Sequence, residues 1–94
     1  GMNLVRAHAV HRTAGASGTS TQIQVVNITD ATNMLSRVIH IDPGETLSTG
    51  ATTAPVINTS ADDVATDDML CPDVTAVEDT PGKGTIVILD FRLP

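Results

Sequence analysis

Apolar and polar residues alternate with a period of two along several short stretches of the chain. In Leu4 to Val10, Val5, Ala7 and Ala9 fall on one side and Arg6 and His8 on the other, as in a strand with one buried face. Gln22 to Ile28 repeats the pattern, with Ile23 and Val25 set against Gln22 and Gln24. Leu35 to Ile41 places Leu35, Ile39 and Ile41 on one side and Ser36 and His40 on the other; Arg37, on the apolar side, marks an end open to solvent. Met69 to Val77 and Thr85 to Leu93 are further strands, and Leu47 and Pro55 to Ile57 add short ones. Thr85-Ile86-Val87-Ile88-Leu89 is apolar on both faces, which predicts a strand in the middle of a sheet or at a subunit contact.

The segments between these stretches carry turn chemistry. In Asp42-Pro43-Gly44-Glu45, Pro presets φ at the second turn position and Gly accepts a positive φ at the third. Glu78 to Gly84 reads as the loop of a hairpin joining the last two strands. Gly15 to Ser20, all Gly, Ala, Ser and Thr, reads as a flexible loop. Ser60 to Thr66, with Ser60 as N-cap and Asp63 three residues later, supplies at most one short helical turn. The expected fold is a single all-β domain over residues 1–94, an antiparallel β-sandwich of jelly-roll or Ig-like form.

Composition sharpens this picture. Val, Ile and Thr account for 31 of the 94 residues, and β-branched side chains suit a pleated, half-buried surface. One Phe and no Trp or Tyr leave a thin aliphatic core, with Phe91 expected as its largest filler beside Val87 and Leu89. A chain of this length buries only about 60 to 65% of its unfolded surface. Cys71 is the sole cysteine, so no internal disulfide supports the core, and oligomerisation is the remaining support.

The formal charge is −6, unevenly spread: residues 1–40 carry +2 and residues 41–94 carry −8. Nucleic acid and anionic membranes, bound chiefly through clustered Lys and Arg, are not expected partners, and a lone aromatic ring disfavours stacking-based sugar or single-strand sites. No apolar run reaches the length of a membrane span, and no apolar core of a signal peptide stands at the start. We therefore expect cytoplasmic synthesis without secretion, with Gly1 a cloning scar ahead of Met2.

Asp62, Asp63, Asp67, Asp68, Asp73, Glu78 and Asp79 form an acidic run without a base; the spacing of a calcium loop is absent, so a solvated acidic segment is expected. His8 and His11, three apart on an extended strand, face opposite sides and do not chelate one ion, and these and His40 read as structural or exposed. Gly15-Ala16-Ser17-Gly18 is not a nucleophile elbow. Cys71, before Pro72 and near Asp68 and Asp73, reads as a buried, inert thiol. Gly82-Lys83-Gly84-Thr85 lacks the phosphate-loop spacing. No catalytic residue, metal ligand or cofactor is expected, and the candidate oligomer contact is Ile86, Val87, Ile88 and Leu89.

Four pieces taken in order resemble a known module: Thr13 to Gly18 leading into Ile23-Gln24-Val25; Leu35-Ser36 leading into Ile39 to Glu45; Ala65 to Leu70 leading into Asp73 to Val77; and Pro81 to Leu89. Their order and spacing are similar to a small β-sandwich module of structural proteins in tailed bacteriophages and prophages. The chain departs from that pattern at Asn27-Ile28-Thr29-Asp30, which lacks a glycine, and at Asp67-Asp68, where such modules often carry Gly-Asp. The resemblance implies a virion structural role (tail, baseplate or head accessory), a homo-oligomer, commonly a trimer, other virion proteins as partners and no catalytic residues. The alternative expectation is a receptor- or glycan-binding adhesion module that reads its ligand with the polar loops Gly15 to Ser20 and Thr46 to Thr53.

Overall fold

Residues 1–93 are described by the computed structural model of the chain, which is all-β and antiparallel. Nine strands follow in order: β1 Met2–Val10, β2 Thr21–Asn27, β3 Thr32–Asn33, β4 Leu35–Arg37, β5 Ile39–Ile41, β6 Val56–Ile57, β7 Asp63–Val64, β8 Leu70–Ala76 and β9 Ile86–Arg92. One sheet has the order β7-β1-β9; in the second, β2 pairs with β3 and β5 along one edge and with β8 along the other; β4 and β6 form a small third pair. The body is elongated, 39 × 20 × 20 Å.

The core lies between β1 and β2. Leu4, Ala7 and Ala9 come from β1, Ile23 and Val25 from β2, and Met34, Leu35, Ile39 and Ile41 from the segment that follows. The inward alternation of β2 and of Leu35, Ile39 and Ile41 is as the pattern predicts. In β1 it is not: the register with β9 shifts between Leu4 and Arg6. The extra residue of that bulge, Val5, turns outward and is exposed. Phe91 packs against the core from its rim and is only half-buried.

Leu35 to Ile41 is not one strand. Between β3 and β5 the chain leaves β2, pairs with β6 as β4, and rejoins β2 at Ile39. The gap is bridged by a side chain. The Gln24 amide accepts the N–H groups of Val25 and Leu35 and donates to the Leu35 carbonyl, all at 3.0 Å. Gln24, set on the polar side by alternation, is buried for this reason.

The Asp42 to Glu45 turn forms as expected, with Gly44 at φ +81° and the Glu45 amide bonded to the Asp42 carbonyl at 3.0 Å. Its Asp42 carboxylate accepts the Ser20 hydroxyl at 2.7 Å and the Thr52 amide at 3.0 Å. Ser60 to Thr66 holds a turn and β7 rather than a helix; the one helical turn among the described residues is the 3-10 turn Ser48–Gly50. Residues 78–84 do not close a hairpin, because β8 pairs with β2 and β9 with β1, in different sheets. The loop crosses between the sheets and pairs instead with residues 12–17 through Thr13 with Lys83 and Ala16 with Thr80. Backbone bonds from both sides thus order the Gly15 to Ser20 loop, which the sequence alone reads as flexible.

Candidate functional site: the open side of the sandwich

Ile86, Val87, Ile88 and Leu89 lie on β9, whose only strand partner among the described residues is β1. The strand is therefore an edge of its sheet rather than its middle, which corrects one of the two readings of its two-sided apolar pattern. Ile86 and Ile88 point outward and are 59% and 38% exposed, opposite Val10 and His8 of β1. Val87, Leu89 and Phe91 point inward, opposite Ala9, Ala7 and Leu4, and are half-buried. Two of those partners are alanines, too small to fill the space beside β9.

The facing edge is β8, paired among the described residues only with β2. No residue of β8 or β9 is buried. Between them lies a cleft of about 110 Å³, lined by Val25 of β2, Leu70, Pro72 and the edge of Cys71 from β8, and Val87 and Leu89 of β9. Cys71 is exposed rather than buried: by alternation it faces away from the core, and β8, at the edge, has nothing over its outer face. Fully burying an aliphatic side chain contributes about 1.5–3 kcal/mol, so this side of the molecule leaves several kcal/mol of apolar burial unrealised.

The start of β9 is set by a buried polar cluster that no local motif announces. His11 follows β1, Thr21 opens β2, Glu78 follows β8, and Thr85 precedes β9. The Thr21 hydroxyl lies 2.7 Å from both Glu78 carboxylate oxygens, and the Thr21 amide donates to Oε2 at 3.1 Å. His11 Nε2 is 3.0 Å from the same hydroxyl, and Nδ1 is 2.7 Å from the Thr85 hydroxyl. Since Thr21 gives its proton to Glu78, Nε2 is the donor to Thr21. His11 Nε2 also lies 3.8 Å from Glu78 Oε2, and the Gly82 amide reaches Oε1 at 3.3 Å.

Burial raises the Glu78 pKa, but the Thr21 hydroxyl and the backbone amides of Glu78, Gly82 and Thr21 together hold it below the ordinary carboxylate value. Glu78, 2% exposed, is thus an exception to the solvated acidic run in which the sequence sets it. A His, a hydroxyl and a carboxylate in series resemble a catalytic relay. Here the hydroxyl is buried and its proton points to the carboxylate, so the arrangement serves as a clamp on four segments. Its sequence trace is Gly15 and Gly82: a β-carbon on either would sit 2.5 Å from Glu78 Oε1 or His11 Cδ2.

The remaining candidates stay apart. His8 and His40 each have a ring Nδ1 without a hydrogen-bond partner, and no group of three or more metal-ligating side chains occurs among the described residues. A groove of about 280 Å³ beside β1 includes Arg6, His8 and Ser48 in its lining, but the Ser48 hydroxyl is taken by the Ala9 amide at 2.8 Å. Asp68 is tied to the Asn27 side chain at 3.0 Å and the Ala65 amide at 2.9 Å, so it holds a turn. Among the described residues, no helix is long and apolar enough to cross a membrane. No protein-family model matches the chain, and no significant match was found to a curated protein or to a solved structure.

Proposed function

We propose that this chain is a non-catalytic structural protein that assembles with copies of itself, and that its place is in a phage or prophage virion. The observation that carries self-assembly is β9, a seven-residue edge strand whose first four residues, Ile86 to Leu89, are apolar on both faces. An exposed strand of this kind is an aggregation hazard unless another chain covers it. The buried cluster fits the same role, because it fixes where β9 begins and so presents its edge in one orientation. The virion context rests on the resemblance of the ordered strand and turn pieces.

Size-exclusion chromatography with light scattering tests the first part: a stable oligomer at micromolar concentration is expected, and a monomer rejects it. Gene neighbourhood tests the second. Flanking tail or capsid genes support the virion assignment, and an ordinary metabolic operon overturns it.

A further inference from the structure

Every free sheet edge but one is short or blocked. Among the described residues, β3, β6 and β7 have two residues and β4 and β5 three. β8 is long, but the Ile28 amide bonds to the Met69 carbonyl at 2.8 Å, and by alternation Cys71 and Asp73 also turn their backbone groups toward β2. Leu70, Pro72 and Val74 then face the open edge, where Pro72 has no N–H to give. Pro on a free edge is a known way of preventing strand addition.

β9 has no such block. The Ala9 amide points away from β9, to the Ser48 hydroxyl at 2.8 Å, so the amides of His8 and Val10 point toward it, opposite Ile88 and Ile86. The N–H and C=O groups of Val87, Leu89 and Phe91 therefore face outward, evenly spaced about Leu89.

From this, and resting on the self-assembly reading above, we infer that the partner of β9 is β9 of a second copy, added antiparallel about a two-fold axis through Leu89. The strand is its own complement in that register. Leu89 meets Leu89 of the second copy, and Val87 meets Phe91, a small side chain against a large one. All three outward N–H groups of each copy find carbonyls.

Charge agrees with this pairing. The chain carries −6, yet β9 contains Asp90 and Arg92 and adds no net charge to the contact. Asp90 faces Ile88 and Arg92 faces Ile86 of the second copy, so no like charges stand directly opposite. The result is a continuous six-stranded sheet, β7-β1-β9 followed by its two-fold mate. A ring of three through the long edges would set β9 against β8, where Pro72 withholds a hydrogen bond.

Light scattering should give twice the 9.7 kDa chain mass. Three copies would overturn the two-fold pairing while leaving self-assembly intact, and one copy would overturn both. Val87→Pro removes an outward N–H without touching the ladder to β1, and should weaken dimerisation by about 10- to 100-fold through two lost hydrogen bonds per dimer; unchanged affinity in a folded variant overturns the register. Independently of that variant, Leu89→Cys in a Cys71→Ser background should form a disulfide-linked dimer on mild oxidation. Thr75→Cys in the same background, on β8, should not. Equal cross-linking at both positions, or none at Leu89→Cys, overturns the proposal.

Discussion

The side-chain amide of Gln24 pairs with the backbone of Leu35 as a strand would, accepting its N–H and donating to its C=O at 3.0 Å each. It holds β4 against β2 at the point where the two backbones have parted. Replacing Gln24 by Met keeps length and apolar volume but leaves both Leu35 groups buried and unpaired. Each such group costs about 1–3 kcal/mol, so Gln24→Met should lower stability by about 2–4 kcal/mol. Urea unfolding followed by circular dichroism measures it, and a change under about 0.5 kcal/mol would show that Leu35 finds other partners.

Gly82 should tolerate no side chain. A β-carbon there meets the His11 ring at 2.5 Å, whereas one at Gly50 meets nothing within 4 Å. Gly82→Ala should destabilise by about 1–3 kcal/mol through overpacking, and Gly50→Ala should stay within about 0.5 kcal/mol of the parent. Thermal melts of the two variants side by side make the comparison.

Acid should loosen the clamp. The pKa of Glu78 is lower in the folded state than its ordinary 4.5, burial being outweighed by the Thr21 hydroxyl and three amides. A carboxylate with a depressed folded pKa contributes stability that is complete above the unfolded value and lost as pH falls through the folded one. Urea midpoints should be flat near neutrality and drop below about pH 4.5. Glu78→Gln should be less stable at neutral pH and show a shallower acid slope. Part of the slope should remain, because Asp42, held low first by the Ser20 hydroxyl, and Asp68, held low first by the Asn27 side chain, also have folded pKa values below their ordinary one.

Cys71 should react with a maleimide in the native protein, since its side chain is exposed on β8. Cys71→Ser should change stability by less than about 0.5 kcal/mol. Protection of the thiol until urea unfolds the chain would place β8 under cover.

Period-two alternation made β1, β2 and β9 legible as strands and Ile23, Val25, Ile39 and Ile41 legible as core, because the faces of an unbulged strand depend only on neighbouring residues. What stayed hidden depends on residues far apart in the chain. Glu78 reads as one more acid in a run until Thr21, 57 positions away, is placed beside it. His11 reads only as a structural or exposed imidazole until Thr85, 74 positions away, meets its ring. The hairpin expected between β8 and β9 failed for the same reason: residues 78–84 had partners at 12–17, and nothing in their own turn chemistry declares it. A two-sided apolar pattern such as that of Ile86 to Leu89 is expected of a central strand and of a strand at a subunit contact alike, and periodicity does not separate them.

The second edge of β1 is pinned near both ends: β7 pairs with Met2 and Asn3, Leu4 bonds to Asp62, Ala9 to Ser48, and His11, just past the strand, to Thr46. The opposite flank, at β8 and β9, carries no such pins. The sandwich is built like a book with a bound spine and loose fore-edge. Amide hydrogen exchange should therefore be slowest along β2 and β5 and fastest along β8 and β9. A partner that closes the fore-edge binds only the folded form, which couples folding to association, so the melting temperature of this protein should rise with its own concentration.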